Sequence, residues 1–186
     1  MRFETTRLGG AIIIHPDRHA DERGAFVRTF CEEEFAAHGI TTRFPQCNLS
    51  TNRAAGTLRG MHLNVTGHWE SKLVRCVRGA VHDVIVDLRP GSETHGESLG
   101  VELSAENALA LFVPEGFAHG FVTLEDDSDI YYHMGRAYSD GVAIGFRWND
   151  PAFDINWPVE PAVMSDRDRT YPDYVPELLH RPPESR

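Results

Sequence analysis

Several things are scarce in this 186-residue chain, and each scarcity excludes a class of function. Cysteine occurs only three times, as Cys31, Cys47 and Cys76. An odd number at wide spacing, with no CxxC, argues against a disulfide framework or a zinc knuckle. No apolar run approaches the length of a membrane span. The opening stretch Met1-Arg2-Phe3-Glu4-Thr5-Thr6-Arg7 has no apolar signal region, so the expected setting is reducing and cytoplasmic. Basic charge is also short: 18 Lys and Arg stand against 28 Asp and Glu, a formal net charge of −10. That balance argues against broad binding to nucleic acid or an anionic membrane, which both need excess cations. A small anionic ligand is still compatible, because a few cations converging in a pocket outweigh diffuse surface charge screened over roughly 10 Å.

What is present reads as one domain over residues 1–186, long enough for a real core. Ala11-Ile12-Ile13-Ile14 is a β-branched run, hence a strand ended by His15-Pro16. Asp21-Glu22-Arg23-Gly24 is a turn, and the strand resumes over Ala25 to Phe30. Cys31 to His38 carries three consecutive glutamates near its start and Gly39 just past its end, the signature of a short helix. Short strands follow: Lys72 to Arg78 and Ala80 to Leu88, with a hairpin turn expected at Arg78-Gly79, then Leu99 to Leu103, Ala108 to Val113, Phe117 to Leu124, Ile130 to Met134 and Val142 to Trp148. Many short strands with almost no helix predict an all-β barrel or sandwich. The tail from Pro158 is rich in proline and charge and is expected to wrap the barrel, its last residues frayed.

The stretch Gly56-Thr57-Leu58-Arg59-Gly60-Met61-His62-Leu63, followed by Lys72, gathers an imidazole, a guanidinium and an ammonium. Arg59 and Lys72 gain little from burial unless an anion joins them. Strict alternation separates Arg59 from His62 on opposite faces, so a shared pocket requires a twist or bulge, which Gly60 permits. Phe117-Ala118-His119-Gly120-Phe121 places His119 between two rings, either as a core histidine or as a pocket-lining group. Tyr132, on the face of Ile130 and Met134, is either a core aromatic or a proton donor inside the barrel. Asp168, beyond the last strand, is either surface charge or a carboxylate that reaches back to orient an imidazole. A loose metal-ligand set of His62, His68, Glu70 and His119 has poor spacing. Five residues separate the first two histidines and Thr66-Gly67 makes a turn, which argues against a metal.

Eight motifs together resemble the dTDP-4-dehydrorhamnose 3,5-epimerase family. They are Asp21-Glu22-Arg23-Gly24, Gln46-Cys47-Asn48-Leu49-Ser50, Leu58-Arg59-Gly60-Met61-His62, Lys72-Leu73-Val74-Arg75-Cys76, Asp83 to Arg89, Leu103 to Asn107, Pro114 to Phe121 and Trp148-Asn149-Asp150-Pro151. They run in family order from about residue 17 to residue 172. The resemblance implies an all-β, cupin-type jelly-roll barrel with short peripheral helices, a homodimer formed by strand exchange at the N-terminal side, and neither metal nor cofactor. It implies that His62 is the general base, oriented by Asp168, and that Tyr132 is the acid. It further implies that Arg23, Gln46, Asn48, Arg59, Lys72, His119, Tyr138 and Arg167 bind a nucleotide-diphosphate sugar, Arg167 replacing the lysine common there.

The residue types suit that chemistry. A proton on the carbon beside a C4 ketone is removable only if the enolate is stabilised; neutral imidazole has the basicity to take it, and Lys72, with a contribution from His119, meets the oxygen's charge. Inversion needs the proton returned from the other face, so base and acid must confront each other across the sugar. Arg23 and Arg59 suit a diphosphate. Two departures alter the expected pocket: Arg28 and Ala143 stand where the family usually has substrate-contacting glutamates. The loop Leu63 to Glu70 also lacks the usual glutamine and proline. The expected activity is therefore epimerisation of a nucleotide-linked 4-keto-6-deoxy sugar at two carbons or one. A 3,4-ketoisomerase, a metal-dependent cupin oxygenase and a non-catalytic sugar-binding barrel are the competing readings.

Overall fold

Two antiparallel sheets face each other across a shared apolar interior in the computed structural model, which describes residues 1–180. The chain lays down β1 (Arg2–Thr5), β2 (Ile12–His15), β3 (Arg18–Asp21), β4 (Gly24–Val27), α1 (Glu32–Ala37), β5 (Gln46–Asn52), β6 (Thr57–Asn64) and β7 (Lys72–Arg78). It continues through β8 (Ala80–Asp87), β9 (Ser98–Ser104), β10 (Ala110–Val113), β11 (Phe117–Thr123), β12 (Ser128–Met134), β13 (Ala143–Gly145), β14 (Val163–Met164) and α2 (Asp166–Arg169). The first sheet runs β1-β2-β10-β7-β12-β5 and the second β13-β6-β11-β8-β9, with β14 beside β6 in parallel. This is a cupin-type jelly roll. β3 and β4 form a separate two-stranded hairpin, with the expected turn at Glu22-Arg23.

The inner core takes Val74, Leu111, Val113 and Ile130 from the first sheet and Val81, Ile85, Leu103, Phe117 and Phe121 from the second. Each wholly buried side chain of this size contributes roughly 1.5–3 kcal/mol. The outer faces are also covered. Met61, Leu63, Val84 and Val86 pack under Phe146, Phe153, Leu178 and Leu179. Ile12, Ile14, Leu73 and Phe112 pack under Phe35 and Ile40. The helix α1 has no side-chain cap at Cys31. Its one buried residue, Phe35, meets Phe3 and Phe30 at ring distances of 5.3 and 4.8 Å, so packing rather than propensity holds it.

The structure corrects several expectations. Arg78-Gly79 is not a hairpin turn: β7 pairs with β10 and β12, and β8 with β9 and β11. Gly79 instead carries the chain from one sheet to the other at φ +69°, where a Cβ would fall 2.4 Å from the Ser128 hydroxyl. Identical strand-turn-strand patterning describes both cases, so the sequence could not separate them. The strand after Gly24 ends at Val27 rather than Phe30, and the last long strand shrinks to Ala143–Gly145. The tail does more than wrap, since it supplies β14, α2 and the buried Leu178 and Leu179. Its expected frayed end, 181–186, lies outside the described residues.

β6 positions the site. His119 on β11 stands opposite His62 and Phe121 opposite Arg59, so three steps on β6 oppose two on β11. This is a bulge, and it returns Arg59 and His62 to the same inner face. Gly60 makes it possible at φ +141°, because a Cβ there would lie 2.6 Å from the Gly120 Cα.

Candidate active site

An inner chamber of about 240 Å³ opens between the sheets. Arg59, His62 and His119 line it from β6 and β11 of the second sheet, and Asn48, Lys72 and Tyr132 from β5, β7 and β12 of the first. His62 and Tyr132 thus stand on facing walls. A mouth chamber, also about 240 Å³, shares Asn48, His62 and Lys72 and adds Gln46, Glu70, Tyr138, Ala143, Arg167 and Tyr171. Beyond it, Tyr138, Arg167 and Tyr171 border an outer groove of about 290 Å³.

His62 Nε2 lies 2.7 Å from Asp168 Oδ1. The carboxylate comes from α2, whose N-cap Ser165 accepts a hydrogen bond from the Asp168 backbone N–H at 3.1 Å. Burial works against the charge on Asp168. Hydrogen bonds from His62, the Ser165 hydroxyl and the Gly60 backbone outweigh it and hold the carboxyl below its ordinary value. An imidazole that donates through Nε2 keeps its Nδ1 lone pair available for a proton.

Tyr132 packs against the inner core while lining the chamber, and its hydroxyl has no protein hydrogen-bond partner among the described residues. Burial, reinforced by the Asp83 carboxylate and opposed by Arg59, pushes the phenol well above its ordinary value. It keeps its proton until a strong base forms beside it. His119 sits with its ring 6.0 Å from that of Tyr132, and its Nε2 is 2.8 Å from Asp83 Oδ1. Asp83 is completely enclosed and its second oxygen has no hydrogen-bond partner among the described residues. Lys72 is paired with Glu70 at 2.9 Å.

The polar rim is pre-arranged. Gln46 Nε2 donates to Asn48 Oδ1 at 3.0 Å and Gln46 Oε1 accepts from the Tyr138 backbone N–H at 2.9 Å. Arg59 Nε donates to Asn52 Oδ1 at 2.8 Å. Arg167 lies over the Tyr171 ring at 5.6 Å. Of the residues expected at the site, only Arg23 stands elsewhere. It sits at the tip of the β3–β4 hairpin, 84% exposed and paired with Asp21, and lines none of these chambers. Arg28 is also remote, bonded to Glu34 at 3.1 Å, whereas Ala143 borders the mouth. Glu70, a candidate metal ligand by sequence, is instead paired with a cation; no three His, Cys, Asp or Glu side chains converge as a metal site among the described residues. Tyr171, Glu70 as a partner of Lys72, and Ser165 were missed. Only the N-cap pattern of a serine ahead of two aspartates gave any signal, and that for Ser165.

Comparison with known proteins agrees with this geometry. The sequence profile of the dTDP-4-dehydrorhamnose 3,5-epimerase family matches residues 5–175. The dTDP-4-dehydrorhamnose 3,5-epimerase of Methanothermobacter thermautotrophicus is 44% identical over 173 residues, covering 91% of this chain and 92% of that one. The crystal structure of the Bacillus anthracis dTDP-4-dehydrorhamnose 3,5-epimerase, with TDP and PPi bound, superposes with a TM-score of 0.90 at 37% identity, over 93% of this chain and 99% of that one. A 3'-monoepimerase from Streptomyces bikiniensis in complex with dTDP-quinovose superposes with a TM-score of 0.83 at 33% identity, over 91% and 86%.

Proposed function

The chain belongs to the dTDP-4-dehydrorhamnose 3,5-epimerase family and is a nucleotide-sugar epimerase, and from that premise we propose that it inverts carbons beside the C4 ketone of a dTDP-linked 4-keto-6-deoxy sugar. The observation that carries this reading is the placement of His62 and Tyr132 on facing walls of one chamber. Nδ1 of His62 takes the proton from the carbon next to the ketone, and the C–H electron pair moves into the enolate oxygen. Asp168 holds the imidazole and balances the charge it gains. Lys72 and His119 meet the charge on the oxygen. Tyr132 returns a proton to the opposite face, giving the inverted centre.

Arg167 meets the diphosphate at the mouth with Gln46, Asn48 and Tyr138, and Arg59 reaches toward it from the inner chamber. Arg23 reaches the same site of a second copy, the enzyme being a homodimer built by exchange of the N-terminal strands. Two features support that assembly: β3–β4 pairs with neither barrel sheet, and Phe26 on it is 71% exposed. Cytoplasmic placement rests on the cysteines, all three of which are free. The whole of residues 1–186 acts as one catalytic unit, the tail supplying Asp168.

The test is proton NMR in deuterated water with a panel of nucleotide 4-keto sugars. Deuterium at C3, C5 or both, with the carbonyl fixed at C4, is expected. Relocation of the carbonyl would replace this reading with a ketoisomerase, and no exchange with any sugar would replace it with a binding barrel. Ala143 at the mouth, where the family usually carries a glutamate, makes single-carbon inversion the outcome to look for first.

A further inference from the structure

Lys72 is the only lysine in the sequence, and it is already engaged. Its Nζ lies 2.9 Å from Glu70 Oε1, the two side chains being 10% and 13% exposed. Lys72 lines both chambers, whereas Glu70 lines only the mouth. With alanine at 143, Glu70 is the only carboxylate among the described residues that line either chamber. An enclosed carboxylate beside a diphosphate site works against binding, because like charges a few ångströms apart repel. An enclosed ion pair is also a poor source of stability compared with apolar packing. Glu70 therefore opposes ligand binding without a matching gain in folding, unless it serves the cation next to it.

Lysine suits that relationship. Its ammonium is a compact charge on a flexible four-carbon stem, and left unpaired it moves to the strongest anion within reach. In the substrate proposed above that anion is the diphosphate at the mouth, not the ketone oxygen in the inner chamber. Charge spent on the diphosphate favours substrate and transition state equally; only charge kept for the developing oxyanion lowers the barrier.

Resting on the epimerase reading, we propose that Glu70 is a positioning residue for Lys72. Its carboxylate tethers the ammonium at the boundary of the two chambers and keeps it from being captured by the substrate diphosphate, so that it remains available to the oxygen at C4.

Glu70→Gln removes the charge and keeps the size. Calorimetry with dTDP should show binding about tenfold tighter, while kcat for deuterium exchange falls about tenfold and KM falls with it. Glu70→Asp should recover most of kcat. In a Lys72→Met background, Glu70→Gln should change kcat by less than about twofold, since nothing is left to position. The full chain grown with lysine labelled at Cε offers a direct readout, because one lysine gives one resonance. That resonance should move little with saturating dTDP in the wild type and clearly in Glu70→Gln. Unchanged or weaker dTDP binding, a kcat within about twofold of wild type, or full additivity with Lys72→Met would overturn the proposal. Absence of exchange by the wild type on every sugar would instead sink the epimerase reading. The dTDP and lysine-resonance measurements would then decide by themselves whether Glu70 tethers the ammonium.

Discussion

The imidazoles of His62 and His119, both lining the inner chamber, each pair with a carboxylate at nearly equal length, 2.7 and 2.8 Å, and the two pairs are mounted differently. In one, His62 is 44% exposed and its carboxylate, Asp168, arrives from a tail helix 106 residues downstream. In the other, His119 is 6% exposed and its carboxylate, Asp83, comes from the neighbouring strand β8. His62 and His119 are direct cross-strand neighbours. The difference lies in what each leaves open. The bulge at Gly60 turns His62 toward the chamber with a ring nitrogen to spare, while His119 is packed into the wall. The same pair of side chains is thus open to the chamber in one setting and a fixed polar surface in the other, and exposure is the difference the epimerase reading turns on.

Substitutions break the comparison unequally. The largest effect belongs to His62→Ala, which should reduce solvent-deuterium exchange by about 10³-fold or more, the upper range for loss of a general base. The fold should persist, because a half-exposed side chain is removed. Asp168→Asn comes next, at about 10–100-fold in kcat, the usual cost of losing an orienting partner. His119→Asn should cost less, about tenfold against the roughly 10²–10³-fold typical of deleting an oxyanion donor outright, because the asparagine amide keeps a donor facing the oxygen. If His119→Asn were as damaging as His62→Ala in the NMR assay, the two pairs would be functionally alike and the distinction drawn from their exposure would fail.

Acid sharpens the same contrast through stability. The Asp168 carboxyl lies below its unfolded value, so it stabilises the native state fully above the unfolded value of about 3.9. That contribution is lost as the pH falls through the folded value. Asp168→Asn should accordingly be less stable than wild type near pH 7, and the gap should close progressively as the pH falls below about 4. Denaturant melts of the two proteins across that range check the sign. A gap that widens in acid would contradict the hydrogen-bonded, ionised carboxylate.

Much of this was legible in the chain. The conflict between alternation and a shared pocket for Arg59 and His62 points from the sequence alone to a twist or bulge at Gly60. The glutamates ahead of Phe35 and the glycine behind His38 located α1. Local pattern reports which face a residue takes, but not which strand will lie beside it. That is why Gly79 read as a hairpin when it is a crossing between sheets. Asp168 carries no local periodicity, and its partner lies 106 residues away, so the residues left it open between surface charge and an orienting carboxylate, and family likeness favoured the second. Tyr171 and Glu70 escaped for a related reason. Tyr171 is placed by contact with the bare backbone of Gly145, where a Cβ would fall 2.2 Å from the ring, and Glu70, which resembles a metal ligand in sequence, is paired with Lys72 in the fold. Arg23 was legible as a residue but not as a position, because its hairpin belongs to neither sheet.

The most direct test of facing walls is Tyr132→Phe followed by proton NMR in deuterated water with a dTDP-4-keto-6-deoxy sugar. His62 should still remove the proton and return deuterium to the same face, so label should enter with the original configuration while inversion slows by about 100-fold. Inversion at the wild-type rate, or loss of exchange together with inversion, would contradict a base and an acid acting from opposite sides of the sugar.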